Sequence, residues 1–445
     1  MRFVCSQCGY ESVQWYGKCP NCGEWNTMVE FKESRGKKRE TKEGLGETKP
    51  IRLSEIKTST YGRIPSGIGE LDRVLGGGFI TGEVVLLAGE PGIGKSTLLL
   101  ELGRLGGLRK IIYVSGEESP EQIKVRAERL GVEGENILVM AETQVERIIE
   151  EVRDDRWEAG LGSEKLEDKL PLLIIDSIQT LWSEEIEGTP GSISQVKWCA
   201  QKLIEFAKGS GITVILIGQI NKEGEIAGPM MLSHMVDCVL FLEGERFSDL
   251  RLLRGLKNRF GPVDEVGVLR MTDKGMQEVQ NPSEMFLSDR QKERKAGAIV
   301  VCAIEGTRPM LLEIQALVTQ SSLPVPRRVV LGLDYNRVLL IIAVLQKVLH
   351  LPLYNQEIIV KVGGGFKISE PAADLGIALA IISSFKNKPV SSGTVAFGEV
   401  GLLGEIRRVG GEEKRTKEAK KLGFTNILSS NTVKDLQEAV KAIGN

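Results

Sequence analysis

No apolar run in this chain approaches the length that spans a bilayer, and Met1-Arg-Phe-Val-Cys5 leads into cysteines rather than into the apolar core of a secretion signal. A membrane partner is therefore excluded and a cytoplasmic location expected. Surplus charge is missing too. The 58 Lys and Arg stand against 60 Asp and Glu, a formal net charge of -2, so any nucleic-acid binding must come from local basic patches rather than a general coat. Histidine is nearly absent: His234 and His350 have no clustered partners, which rules out a histidine-built metal centre. Beyond residue 22 only Cys199, Cys238 and Cys302 remain, each in apolar surroundings that suit a small core residue.

What is present points first to nucleotide chemistry. The chain has 445 residues, enough for roughly three domains. Residues Gly89-Glu90-Pro91-Gly92-Ile93-Gly94-Lys95-Ser96 match the phosphate-cradling pattern G-x-x-x-x-G-K-[ST] without a mismatch. The run Glu83–Ala88 before it reads as a buried strand, and Ser96–Leu102 after it opens a helix. Glycines let backbone N–H groups turn toward the phosphates and the helix N-terminus adds positive potential. Lys95 would reach the outer phosphates of ATP and Ser96 would offer its hydroxyl to Mg2+, with Thr97 behind it.

Three more strand-like runs follow. Lys110–Ser115 ends in Gly116-Glu117-Glu118, and Ser119-Pro120-Glu121-Gln122 begins a helix at once with a capping box and proline at its first position. That pins the two carboxylates to a strand's C-terminal end, where open α/β sheets bind ligands. Glu117 is the expected residue for orienting or deprotonating the attacking water. Leu172–Ile175 ends in Asp176, the Walker B arrangement for Mg2+. Ile212–Ile217 ends in Gly218-Gln219, whose amide can sense the terminal phosphate. Alternation of β and α segments implies a parallel, helix-covered sheet.

Cys5-x-x-Cys8 and Cys19-x-x-Cys22, each followed by glycine, make two thiolate knuckles, and four sulfurs complete a structural zinc site. Trp15, Tyr16 and Trp25 either cover the knuckles or dock a nucleic-acid base or partner; both readings stay open. The charged stretch at 29–52, with Arg35-Gly-Lys-Lys-Arg39 at its centre, reads as a flexible linker.

The four-cysteine start, the loop at Gly89–Ser96, Lys222-Glu-Gly-Glu-Ile-Ala-Gly-Pro229 and above all Lys257-Asn-Arg-Phe-Gly261 resemble the bacterial DNA-repair family RadA (Sms), relatives of the RecA recombinase. The resemblance covers essentially the whole chain. It implies an α/β architecture with a RecA-like P-loop ATPase core, an N-terminal four-Cys zinc module and a C-terminal α+β Lon-protease-like domain. The corresponding boundaries are 1–28, 29–52, 53–281, a joint at 282–295, and 296–445. It further implies that Lys257 and Arg259 reach a neighbouring subunit's nucleotide, so that the motor is an oligomer, a hexameric ring. The implied activity is ATP-driven movement on single-stranded DNA and branch migration of branched recombination intermediates with RecA. The loops 221–229 and Gly188–Ser194 would face the DNA, with Lys222 as a phosphate contact or, equally, a solvated lysine.

Beyond the joint the chain resembles the Lon proteolytic domain. There the catalytic serine position falls on Asp374, in Ser369-Glu-Pro-Ala-Ala-Asp374, and the lysine position on Glu413, with Lys414 one residue on. Aspartate cannot perform that acyl transfer, so peptidase activity is not expected. The resemblance suggests double-stranded DNA binding for this domain, through edge residues among Arg308, Arg327, Arg328, Arg337, Lys347, Arg407, Arg408, Lys414 and Arg415; ordinary surface charge is the alternative, since glutamates interleave with them. An ATP switch or scaffold without motor activity, and an ATP-dependent protease, are the competing readings of the whole.

Overall fold

The computed structural model describes residues 2–5, 10–31, 52, 54, 62–104, 110–153, 171–219, 229–244, 249–288 and 295–443. Contacts divide the chain into two compact units, the first running to Glu278 and the second from Val279. Cys8, Lys222 and nearly all of the stretches at 32–51 and 221–229 lie outside the described residues.

At the start of the chain, Arg2–Cys5 pairs antiparallel with Glu11–Ser12 on one side and Met28–Phe31 on the other. Among the described residues its apolar core is Cys5, Cys19 and Met28 with Phe3 against them, too small to hold a fold without metal. The ribbon continues to Phe31, past the expected end at 28, because register with Arg2 requires it.

The main sheet has nine strands. In chain order they are β1 (Val84–Gly89), β2 (Ile111–Ser115), β3 (Ile137–Ala141), β4 (Leu172–Asp176), β5 (Thr213–Gln219), β6 (Cys238–Glu243), β7 (Leu250–Asn258), β8 (Val266–Thr272) and β9 (Gly275–Glu278). The spatial order is β9-β8-β7-β6-β1-β5-β4-β2-β3. Strands β6 to β3 run parallel, while β7, β8 and β9 add antiparallel. The parallel, helix-covered sheet expected from β/α alternation is thus present across β1, β2, β4 and β5; beyond β6 the strands add as antiparallel hairpins, a part of the sheet the alternation did not cover.

The central strands are apolar throughout because both faces are covered. Val85 and Leu87 of β1 join one core with Leu172, Ile174, Ile215 and Ile217, while Val84, Leu86 and Ala88 join the other with Leu173, Ile175, Val214 and Leu216. Lys95–Glu101 and Pro120–Arg129 cover the first face, and Val145–Arg153 and Ile193–Ser210 the second. The expected capping box forms: Ser119 Oγ accepts from Gln122 N, Gln122 Oε1 accepts from Ser119 N at 2.9 Å, and Pro120 opens the helix.

In the second unit the strands are β10 (Ala298–Glu305), β11 (Arg308–Gln320), β12 (Arg328–Leu331), β13 (Gln356–Val362), β14 (Thr394–Ala396) and β15 (Asn426–Leu428), ordered β12-β13-β11-β10-β14-β15. Helix Asp374–Lys386 is buried from Asp374 through Ser383 and forms the centre of this α+β unit. The expected joint at 282–295 begins as a helix instead, Pro282–Ser288: Ser283 is buried and its hydroxyl accepts from Leu311 N, and Phe286 meets Phe366 edge-on at 5.5 Å.

Candidate active site

Parallel strands deliver their C-terminal ends to one edge of the sheet, and the motif residues sit there. Gly89 closes β1 beside Gln219 of β5, and Asp176 closes β4 beside Ser115 of β2. Between Gly89 and the helix Lys95–Glu101 the loop turns through Gly92 and Gly94, both at positive φ (76° and 109°). The φ of 109° at Gly94 is what calls for glycine there; a Cβ would also press on the terminal methyls of Met271 and Met276 at 2.4 Å, which are flexible enough to give way. Its backbone amides and the helix N-terminus suit a phosphate chain.

Lys95, 6% exposed, donates to the carbonyl oxygens of Gly89 (3.0 Å) and Glu90 (2.9 Å). Burial pulls its pKa down, and the charges of Asp176 and Glu117 pull the other way. The ammonium thus lies in the field of the two carboxylates where Mg2+ and phosphate would meet. Asp176 Oδ2 accepts from the Tyr113 hydroxyl at 2.5 Å. Tyr113 is buried and also hydrogen-bonds Ser96; burial, then the Asp176 charge, holds its phenol well above the ordinary range. The protonated Tyr113 phenol therefore links Ser96 to Asp176, the two residues whose oxygens suit Mg2+.

Glu117 follows the close turn at Gly116, whose amide donates to Asp176 O at 2.9 Å. Its Oε1 accepts from Ser177 Oγ (2.8 Å) and Gln219 Nε2 (3.3 Å), while the side chain remains exposed. Glu118 is turned away and paired with Arg126. Of the two acidic residues, only Glu117 is both hydrogen-bonded to Gln219 and open to water. Gln219 O in turn accepts from Gln179 Nε2 at 3.2 Å.

Lys257 and Arg259 are elsewhere. Lys257 pairs with Val239, itself beside Leu86, and Arg259 N donates to Asp237 O; Asp237 N donates to Val84 O. Arg259 therefore lies at the N-terminal end of β1, about 16 Å along the strand from Gly89, and its Nη1 is 3.7 Å from Asp237 Oδ1 with the side chain 53% exposed. Lys257 Nζ donates to the carbonyls of Ser233 and Val236, both at 2.7 Å, and burial together with Arg259 lowers its pKa. Neither side chain reaches this chain's own phosphate loop.

In the ribbon, the sulfurs of Cys5, Cys19 and Cys22 lie within 4.8 Å of one another, with Cys5 and Cys22 at 3.6 Å. Tetrahedral zinc with Zn–S near 2.3 Å sets sulfurs about 3.8 Å apart, so these three fit a zinc site. Trp15, Tyr16 and Trp25 remain exposed beside it, Trp15 fixed by its Nε1 bond to Met28 O at 2.9 Å.

In the second unit Asp374, 3% exposed, accepts from Arg337 Nη1 at 3.0 and 3.1 Å and from Val400 N at 3.4 Å. Burial pushes its pKa up to about 6 against the pull of Arg337. Glu413 and Lys414 are exposed and Ser369 stands outside this pair. The idea of free basic edges needs correcting: Arg308 donates to Gln280 O at 2.9 Å, Arg407 pairs with Glu405 at 2.6 Å and Arg408 lies 3.4 Å from Glu412. Arg415 is buried, bonded to Glu370 (2.8 and 2.6 Å) and to Cys302 O. Arg337 holds Asp374, and Arg328 donates to the carbonyls of Leu353, Gln356 and Arg327. Arg327 itself is exposed.

Sequence reasoning missed Tyr113, Ser177 and Gln179. Tyr113 was one more member of an apolar strand; a hydroxyl-tipped residue one strand over from Asp176 was the available signal.

Comparison with known proteins agrees with this geometry. The KaiC ATPase family model matches residues 64–277, the rubredoxin metal binding domain model of the LapB zinc ribbon matches 3–30, and that of subunit ChlI of Mg-chelatase matches 337–432. The DNA repair protein RadA of Halalkalibacterium halodurans is 46% identical over 432 residues, covering 96% of this chain and 92% of that protein. Those of Bacillus subtilis (45% over 434 residues) and Aquifex aeolicus (45% over 427 residues) each cover 96% and 92% likewise. Likeness of that degree over nearly the full length of both partners leaves one placement: the chain belongs to the RadA family of DNA repair proteins, and its core is a RecA-like ATPase.

Proposed function

We propose that this chain is a DNA-dependent ATPase of homologous recombination and repair. It forms a ring, hexameric by family resemblance, that moves on single-stranded DNA and promotes branch migration of recombination intermediates with RecA. The observation that carries the reading is the position of Lys257 and Arg259. Arg259 lies about 16 Å and Lys257, abreast of Leu86, about 10 Å along the sheet from their own phosphate loop; with the Arg259 side chain 53% exposed, the pair suits a nucleotide bound by the next subunit.

Bound ATP would be held by the Gly89–Gly94 amides, and Lys95 would exchange its two carbonyl partners for phosphate oxygens. Ser96 and Asp176 would hold Mg2+, which supplies charge neutralisation on the phosphates when bound. Glu117, tied to Ser177 and Gln219, is placed to take a proton from water, and Gln219 to relay the state of the terminal phosphate into 220–229. Arg327 is the favoured DNA contact of the second unit, because the Arg328 guanidinium is committed to carbonyl oxygens. The Arg337–Asp374 pair supports a scaffold rather than a peptidase: a buried carboxylate held by a guanidinium is neither nucleophile nor neighbour to a lysine base.

Mixed rings test the proposal. Lys95→Ala and Arg259→Ala, each inactive alone, should regain ATP turnover when their subunits are exchanged, since an intact loop then meets an intact finger. Turnover in the mixture no higher than in the separate variants would refute the trans arrangement.

A further inference from the structure

The turn that carries Arg259 is held from outside its own hairpin. Arg63 Nη1 donates to Leu75 O (2.9 Å) and Gly78 O (3.1 Å), and its Nη2 donates to Phe260 O. Asn258 completes the contact: its Nδ2 donates to the same Leu75 O at 3.1 Å, and its Oδ1 accepts from Phe260 N at 2.9 Å. Leu75 ends the helix Gly69–Leu75, and Gly76, Gly77 and Gly78 follow at φ of 83°, 114° and 117°. This run of three left-handed glycines brings backbone against the guanidinium: a Cβ would fall 3.1 Å from Pro262 Cδ at Gly76, 3.0 Å from Arg63 Cδ at Gly77 and 2.4 Å from Ile64 O at Gly78. Gly261 answers from the other side, where a Cβ would stand 2.9 Å from Leu75 O.

We propose that Arg63 is a positioning residue for ATP hydrolysis: with Asn258 it clamps the turn 258–262 against the Gly76–Gly78 bend, and so fixes where Arg259 and Lys257 are presented to the next subunit. This rests on the trans reading above. A guanidinium suits the task, since its rigid planar fork aims Nη1 at two carbonyl oxygens of the Leu75–Gly78 bend and Nη2 at one in the 258–262 turn, an alignment that a freely rotating ammonium does not fix. Its ligands are all backbone, so it sets the path of the main chain and leaves the Arg259 side chain free to extend. The clamp touches neither this chain's phosphate loop nor its Mg2+ residues, so its loss should spare nucleotide binding and lower turnover.

The test is steady-state hydrolysis by the full chain carrying Arg63→Ala, with Asn258→Ala as the second variant should the first not fold. An ångström of misplacement costs on the order of 100-fold; with half of the clamp remaining, kcat should fall about tenfold while KM for ATP changes by less than about twofold. Exchanging subunits with Lys95→Ala, whose finger turn is intact, should restore turnover to about a quarter of wild type, the share of live loops facing a sound finger in a random equal mixture. Unchanged kcat in both variants overturns the proposal. So does a loss that mixing fails to restore while Arg259→Ala is restored, for Arg63 would then only support the fold. If Arg259→Ala is itself not restored, the trans reading fails and the clamp's role falls with it.

Discussion

At the scale of single residues, the nucleotide site divides into what a motif can announce and what only folding assembles. Lys95, Ser96, Asp176 and Glu117 were legible because each closes or follows an apolar run at a known offset from the phosphate loop. Ser177 and Tyr113 were not, since their roles depend on which strands lie side by side: β2 is separated in sequence from β4 by β3 and two helices' worth of chain, yet pairs with it. Glu117→Gln should reduce ATP turnover about 1000-fold with nucleotide binding retained, read by single-turnover hydrolysis beside equilibrium binding of an ATP analogue. A second residue-scale prediction concerns Glu83, which is 3% exposed and accepts from Ile80 N at 2.8 Å. Burial, aided by Asp237, pushes its pKa up to about 7, against the pull of the Ile80 amide and Arg63. A carboxyl raised in the folded state favours folding while protonated, below its unfolded value, and that contribution fades as pH rises through about 7. Glu83→Gln should therefore gain stability relative to the parent between pH 5 and pH 8, by roughly 2 kcal/mol, in denaturant titrations of the two proteins. A constant difference across that range would place the Glu83 titration elsewhere.

Among elements, the strands of the ATPase sheet were readable from the sequence and the hairpins beyond β6 were not. A strand buried on both faces shows itself as an unbroken apolar run, as Leu172–Ile175 does; β7 carries Arg251, Arg254 and Lys257 at every third position, a spacing that does not match the period of a strand and singles out no partner and no direction. The same limit applied to Arg415, whose neighbours Glu412, Glu413 and Glu418 suggested a solvated face until the fold placed it in the interior against Glu370. Asp374 opens a helix that is otherwise apolar, and its pairing with Arg337 across the unit replaces chemistry with cohesion. Asp374→Ala, which leaves the Arg337 cation without its partner, should lower the stability of the second unit by roughly 3 kcal/mol, seen as an earlier thermal transition, with no casein cleavage in parent or variant. The zinc ribbon, with a core of three buried residues, should lose protection in hydrogen exchange when the metal is chelated, while β1 to β6 exchange as before. Loss of protection in those strands would contradict an independently held ribbon.

For the whole molecule, the phosphate loop, Glu117, Asp176 and Gln219 stand at the C-terminal edge of one sheet, while Arg259 lies at the N-terminal end of β1 with Lys257 abreast of Leu86. If Lys257 and Arg259 act on a neighbour's nucleotide as proposed, a lone subunit should bind nucleotide and hydrolyse it poorly, and an assembly would time hydrolysis by what its subunits hold between them. The proposed ring rests on family resemblance, because no local pattern in the sequence reports which residues face a neighbour. The measurement that tests the account most directly is ATP turnover with and without single-stranded DNA, with Lys95→Ala as the blank. The account predicts strong stimulation by DNA that vanishes in Lys95→Ala; equal turnover with and without DNA would contradict a DNA-dependent motor and point to an ATP switch that answers to a protein partner.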